Sequence, residues 1–136
     1  PEIIFDQGLG DLFAIRTAGI VLDDAGMASV EYAAIKLKTR LVVVLGHENC
    51  GAMRAAAHIS KYPGHISYLI KILTPAVKKA KKLPGDLVNN AVKIDVQMVV
   101  EKLKINPLIK KLVQKKQLKI VGAYYNLESG VVEILK

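Results

Sequence analysis

An alternating α/β domain, with a mostly parallel sheet flanked by helices and an antiparallel hairpin strand at the C-terminus, is the fold class this sequence predicts. Three observations carry it. Leu41-Val42-Val43-Val44-Leu45 is a continuous, β-branched apolar run, the pattern of a central parallel strand covered on both faces. Met27–Lys38 and Leu87–Lys104 repeat their apolar residues at helical spacing. Lys119–Tyr125 and Val131–Leu135 read as two closing strands, joined by Asn126-Leu127-Glu128-Ser129-Gly130, a loop of hairpin length and composition.

Taken in order, Leu12–Thr17 reads as a short strand. Met27–Lys38 places Val30, Ala33, Ala34 and Leu37 on one helical face, with Ser29 near its start. After the Leu41–Leu45 strand, Gly46 breaks the run and the alanine-rich stretch Gly51–His58 follows as a helix. The segment between them therefore lies at a strand's carboxyl end, where open α/β sheets bind ligands. A basic helix runs from about Ile66 to Lys82 and is closed by Pro84-Gly85. Leu87–Lys104 carries an apolar stripe of Leu87, Val88, Ala91, Val92, Val96, Val99, Val100 and Leu103, with Asp86 placed to cap its first turn. Pro107 opens a further short helix to Lys115.

Length fits a single domain over residues 1–136, since domains commonly run to about 100–150 residues. With 51% hydrophobic and 24% charged residues the chain has material for a packed core and little reason to be disordered. No apolar run approaches the roughly 20 residues of a membrane span, and no secretory leader pattern opens the sequence, so a soluble, cytoplasmic protein without a membrane partner is expected. A single cysteine excludes an internal disulfide and fits a reducing compartment. The net charge of +8 raises the question of nucleic acid. Lys78, Lys79, Lys81 and Lys82, and Lys110, Lys111, Lys115, Lys116 and Lys119, fall in helical segments almost without aromatics, which reads as solvated faces rather than a specific nucleic-acid surface.

The one constellation with chemical content is Gly46-His47-Glu48-Asn49-Cys50-Gly51. His and Cys three apart on a turn entering a helix can aim an imidazole nitrogen and a sulfur at one point, and both are good zinc ligands. The helix amino terminus favours the thiolate that a metal requires. On spacing alone the motif is weak, and a packed cysteine beside a locally bonded histidine is the favoured reading. Gly8-x-Gly10 lacks the rest of a dinucleotide fingerprint, and His58 and His65, seven apart across Pro63-Gly64, are poorly spaced as ligands and read as surface residues.

Several motifs in order resemble the β-class carbonic anhydrases along nearly the whole chain. Pro1-Glu2, Gly10-Asp11-Leu12-Phe13 and Arg16 with Ala18-Gly19 are similar to the family's segment after its first zinc cysteine. Ser29-Val30-Glu31-Tyr32-Ala33 resembles the next helix. Val44 to Met53 resembles the zinc-binding turn, and Val121 to Val132 the closing hairpin. The resemblance implies a β-carbonic-anhydrase-like domain that acts as a zinc lyase, interconverting carbon dioxide with bicarbonate and a proton and assembling as a homodimer or larger homo-oligomer. It implies His47 and Cys50 as zinc ligands, and Arg16, Tyr124 and Tyr125 as residues near a bicarbonate pocket. Metal chemistry transfers from the three-histidine class of carbonic anhydrases, where zinc lowers the pKa of bound water toward about 7.

One departure accompanies the match. In the family a strand before the position of Pro1 carries Cys-x-Asp-x-Arg, giving a second thiolate and an Asp and Arg pair beside the metal, and lies in the sheet between the strands matching Leu12–Thr17 and Leu41–Leu45. None of it occurs here, so this chain holds a partial zinc site and no identified catalytic residue. Asp6 and Asp11 read as a turn carboxylate and a loop cap. Either the natural chain is longer or it begins at Pro1. Two functional readings follow: a zinc lyase whose 136-residue portion is inactive alone, or a noncatalytic homologue kept as a binding or assembly module with a degenerate metal site.

Overall fold

The computed structural model describes residues 1–58 and 62–136. Its elements are α1 (Glu2–Phe5), α2 (Asp24–Ile35), β1 (Leu41–His47), α3 (Gly51–His58), α4 (Ile66–Ala80), α5 (Leu87–Ile105), α6 (Pro107–Gln114), β2 (Lys119–Tyr125) and β3 (Val132–Leu135). The strands form one mixed sheet in the order β1-β2-β3. β1 and β2 run parallel, with Leu41 opposite Lys119 and His47 opposite Tyr125, and β2 and β3 are antiparallel, with Tyr125 opposite Val132.

α5 is the element on which the rest assembles. Asp86 caps it, its Oδ1 accepting from the Asn89 N–H at 2.7 Å, which satisfies one of the first-turn donors that a helix leaves free. Val88, Ala91, Val92, Val96, Val99, Val100 and Leu103 are buried along its length. One part of this stripe joins Leu73, Ala76, Val77 and Ala80 of α4, with Met53 and Tyr124, in the first core cluster. The other joins Val30 and Ala34 of α2, Val44, Ile109 and Leu118 in the second. Contact with the sheet is close: a Cβ on Gly46 would stand 2.5 Å from Val92 Cγ1, and one on Gly122 would stand 2.8 Å from Val96 Cγ1. Those glycines let the helix lie directly on the strands.

Caps explain the other helix boundaries. α2 begins at Asp24, three residues before the expected Met27, because Asp23 Oδ1 accepts from the Gly26 N–H at 2.9 Å. Ser29 is inside the helix and bonds back to the Ala25 carbonyl at 2.8 Å. Asn106 caps α6, accepting from the Leu108 and Ile109 amides at 3.0 and 3.1 Å, with Pro107 at the first helical position, where no donor is needed.

Two sequence expectations are corrected. Leu12–Thr17 forms no strand; it is irregular and mostly exposed, with Phe13 at 47% and Ile15 at 40% exposure, since no described strand offers it a ladder. β1 is not central, because β2 occupies the middle of the sheet and, among the described residues, β1 has a strand partner on one side only. Its apolar run is also not covered equally on both faces. Val44 and Gly46 are buried toward α5, whereas Val43 and Leu45 are half-buried and Leu41 is exposed.

Within the apolar stripe of α5 one residue is out of character. Asp95 is 3% exposed and its Oδ2 has no hydrogen-bond partner among the described residues. Burial raises its carboxyl from 3.8 to about 7. A folded-state value above the unfolded one means that the folded chain holds an extra proton between the two. Its contribution is therefore fully favourable below about pH 4 and is lost as pH rises through about 7, by at most on the order of 4 kcal/mol. Asp95→Asn is expected to remove most of that loss. Urea unfolding at pH 5 and pH 8 checks it: a variant that keeps the full wild-type difference between the two pH values contradicts the assignment.

Candidate metal centre

β1 delivers His47 at its last residue, and the chain then turns through Glu48 and Asn49 before Cys50 precedes α3. The turn is tied on both sides. Toward the sheet, the Glu48 N–H donates to the Tyr125 carbonyl at 2.9 Å, continuing the parallel ladder by one residue. Glu48 Oε2 accepts from the Leu127 N–H at 3.1 Å, which fastens the turn to the hairpin loop. Toward the helices, the Asn49 N–H donates to Asn89 Oδ1 at 3.0 Å, and Arg54 Nη2 donates to Asn49 Oδ1 at 3.4 Å. Asn49 itself is left-handed at φ 53°, a conformation that asparagine tolerates better than most residues.

His47 is exposed, and its Nδ1 lies 2.9 Å from the Glu48 carbonyl oxygen. A carbonyl only accepts, so Nδ1 carries the proton and the lone pair of a neutral ring sits on Nε2. Metal-bound imidazoles commonly show this arrangement, one nitrogen donating to a backbone carbonyl and the other free for the ion. Cys50 is 4% exposed and packs in the first core cluster with Met53, Leu73, Val88 and Tyr124. By donor chemistry an imidazole nitrogen and a cysteine sulfur are of the types that zinc takes. Among the described residues no group of three or more His, Cys, Asp and Glu side chains is gathered to hold a metal, so the donor set fits zinc in part and does not close around it.

The remaining expected site residues are dispersed. Tyr125 is half-buried on the strand beside His47 and shares its register. Tyr124 belongs to the opposite face: it is buried in the first core cluster, with Lys93 Nζ 4.6 Å from its ring centroid. Burial, reinforced by Glu48, Asp86 and Glu133, holds its phenol above the usual value, so at neutral pH it is a protonated donor. Arg16 is exposed in the irregular segment 12–17. Asp11 accepts from the Gly8 N–H at 2.9 Å within its own loop, and Asp6 ends α1 in the left-handed region at φ 50°. His58 and His65 are exposed.

Sequence reasoning missed a polar row on α5. Asn89, Lys93 and Gln97, four residues apart, reach the turn after β1, Glu133 of β3 and the last residue of the chain. Asn89 bonds the turn between His47 and Cys50, Lys93 pairs with Glu133 at 2.9 Å, and Gln97 donates to the Lys136 carbonyl at 3.1 Å. The signal was present as the i, i+4 spacing of those residues beside the apolar stripe.

Comparison with known proteins gives consistent results. A model of the carbonic anhydrase family matches residues 1–132. A carbonic anhydrase of Mycolicibacterium smegmatis is 38% identical over 138 residues, taking in 98% of this chain and 67% of that protein. Carbonic anhydrase 2 of Mycobacterium tuberculosis is 36% identical over 137 residues, taking in 95% of this chain and 65% of that protein. The chain thus spans about two thirds of the length of these curated relatives. Among solved structures, the β-carbonic anhydrase CcaA matches with a TM-score of 0.87 and 27% identity, over 100% of this chain and 73% of that one. A Coccomyxa β-carbonic anhydrase, solved in complex with acetazolamide, matches with a TM-score of 0.85 and 27% identity, over 99% of this chain and 65% of that one. A family match over nearly the whole sequence, with a fold shared at this level, places the chain in the β-carbonic anhydrase family.

Proposed function

We propose that this chain carries half of the metal site of a β-class carbonic anhydrase, a zinc lyase for the reversible hydration of carbon dioxide to bicarbonate and a proton. The observation that carries the proposal is the His47–Cys50 turn, with the imidazole Nδ1 held by the Glu48 carbonyl and Nε2 left for a metal. His47 and Cys50 would hold the ion through nitrogen and thiolate sulfur. Zinc bound there supplies Lewis-acid activation of water toward carbon dioxide. The chain's own residues do the positioning: the β1–β2 ladder places His47, and the ties from Asn89 and Leu127 hold the turn. For bicarbonate the reading keeps Arg16, Tyr124 and Tyr125; Tyr125 is next to His47 in register, and Tyr124 packs in the core cluster that holds Cys50.

A noncatalytic homologue is the second reading, favoured by the two-donor limit among the described residues. Zinc content separates the two. In protein purified without added metal, the enzyme reading expects zinc near one per chain, and Cys50→Ser is expected to release it. Undiminished zinc in that variant means that the site lies elsewhere, and no zinc in the unaltered protein favours the noncatalytic homologue.

Because two side chains neither fix the coordination geometry nor orient an activated water, the 136-residue chain alone is expected to show no appreciable carbon dioxide hydration, even with added zinc. Stopped-flow assays with zinc and with a chelator check this. A chelator-sensitive rate well above the uncatalysed one would overturn it.

A homo-oligomer fits the open face of the sheet. Leu41 at 53% and Ile134 at 58% exposure flank the half-buried Val43, Leu45 and Val121 on the side away from α5. An apolar surface of this kind is commonly covered by association. Light scattering at high micromolar concentration is expected to give at least twice the chain mass of 14.8 kDa; a clean monomer contradicts it.

A further inference from the structure

We propose that Asn89 is a positioning residue for the metal turn, a role that rests on the reading of His47 and Cys50 as metal donors. Only Glu48 and Asn49 separate the two donors, so their backbone angles decide whether imidazole and sulfur converge. Glu48 is fixed from the sheet side by the Tyr125 carbonyl and the Leu127 N–H. Asn49 holds a left-handed backbone that most residues avoid. Its N–H would face solvent or an unsatisfied site without Asn89, whose Oδ1 accepts it at 3.0 Å across 40 residues of sequence.

Asn89 is well suited to anchor another residue because it is itself anchored. Its backbone N–H donates to the capping carboxylate of Asp86 at 2.7 Å, which sets its Cα at the start of α5, and α5 is packed along its length into both core clusters. The position of a rigid helix is thereby transmitted through one side-chain oxygen to the residue between the donors. Arg54, in the first turn of α3, adds a longer contact to Asn49 Oδ1 at 3.4 Å.

The test uses the 136-residue chain with Asn89→Ala, Asn89→Asp and Cys50→Ser, and two readouts. Amide hydrogen exchange at Asn49 reports the clamp in metal-free protein. Cobalt(II) titration, followed by the thiolate-to-cobalt charge-transfer band, reports the donors. With Asn89→Ala, Asn49 exchange is expected to accelerate at least fivefold and cobalt affinity to fall about tenfold, the usual scale for losing a group that orients a metal ligand. Asn89→Asp, which keeps an acceptor oxygen, is expected to retain the exchange protection and most of the affinity. Equal losses in both variants, or exchange and affinity within twofold of wild type in Asn89→Ala, overturn the proposal. A wild-type chain without a charge-transfer band that Cys50→Ser abolishes defeats the metal reading separately. The clamp is then decided on exchange alone, upheld by acceleration in Asn89→Ala and overturned by its absence.

Discussion

The approach of α5 to the sheet is the constraint from which the rest of the structure follows. Val92 and Val96 occupy the space that side chains on Gly46 and Gly122 would fill, so helix and strands meet backbone to side chain with no intervening layer. Inserting even a methyl group there would overpack a site that cannot relax, at a cost of about 1–3 kcal/mol. Gly46 is also the residue before His47. The same absence of a side chain that seats the helix therefore brings the helix start, and with it Asn89, within one hydrogen bond of the His47–Cys50 turn.

The helices from α2 onward were legible because their signals are local, whereas the single turn of α1 went unread. Asp86 and Pro107 mark the starts of α5 and α6 by chemistry that acts within one turn, and the α5 stripe is long enough for its period to be unambiguous. The strands were legible as segments and less so in their placement. Leu41–Leu45 shows the composition of a buried parallel strand, but position within a sheet is set by which partners exist, and β2 takes the centre by pairing on both edges. Leu12–Thr17 has strand-like composition and no ladder to join, so composition misled.

The site divides in the same way. His47 and Cys50 are close in sequence, and their candidacy as zinc ligands came from residue type together with the family resemblance, since the spacing alone is a weak signal. What holds them is distant: Asn89 lies 40 residues from Asn49, and Leu127 lies 79 residues from Glu48. No periodicity or motif encodes such a bond. It becomes visible only once the parallel ladder has brought the carboxyl ends of β1 and β2 together.

That separation governs the order in which the molecule can be assembled. α3, α4 and α5 follow the metal turn directly and can associate through contacts between neighbouring segments. The β1–β2 ladder must instead close a loop containing all four helices from α3 to α6, a slow step because its entropy is lost before the pairing energy is gained. The Glu48 tie to the hairpin loop is available only after that closure, since Leu127 lies beyond β2. During synthesis from the amino terminus, His47 and Cys50 therefore leave the ribosome well before the strand that completes their support, and the geometry of their turn is among the last features of the fold to become fixed.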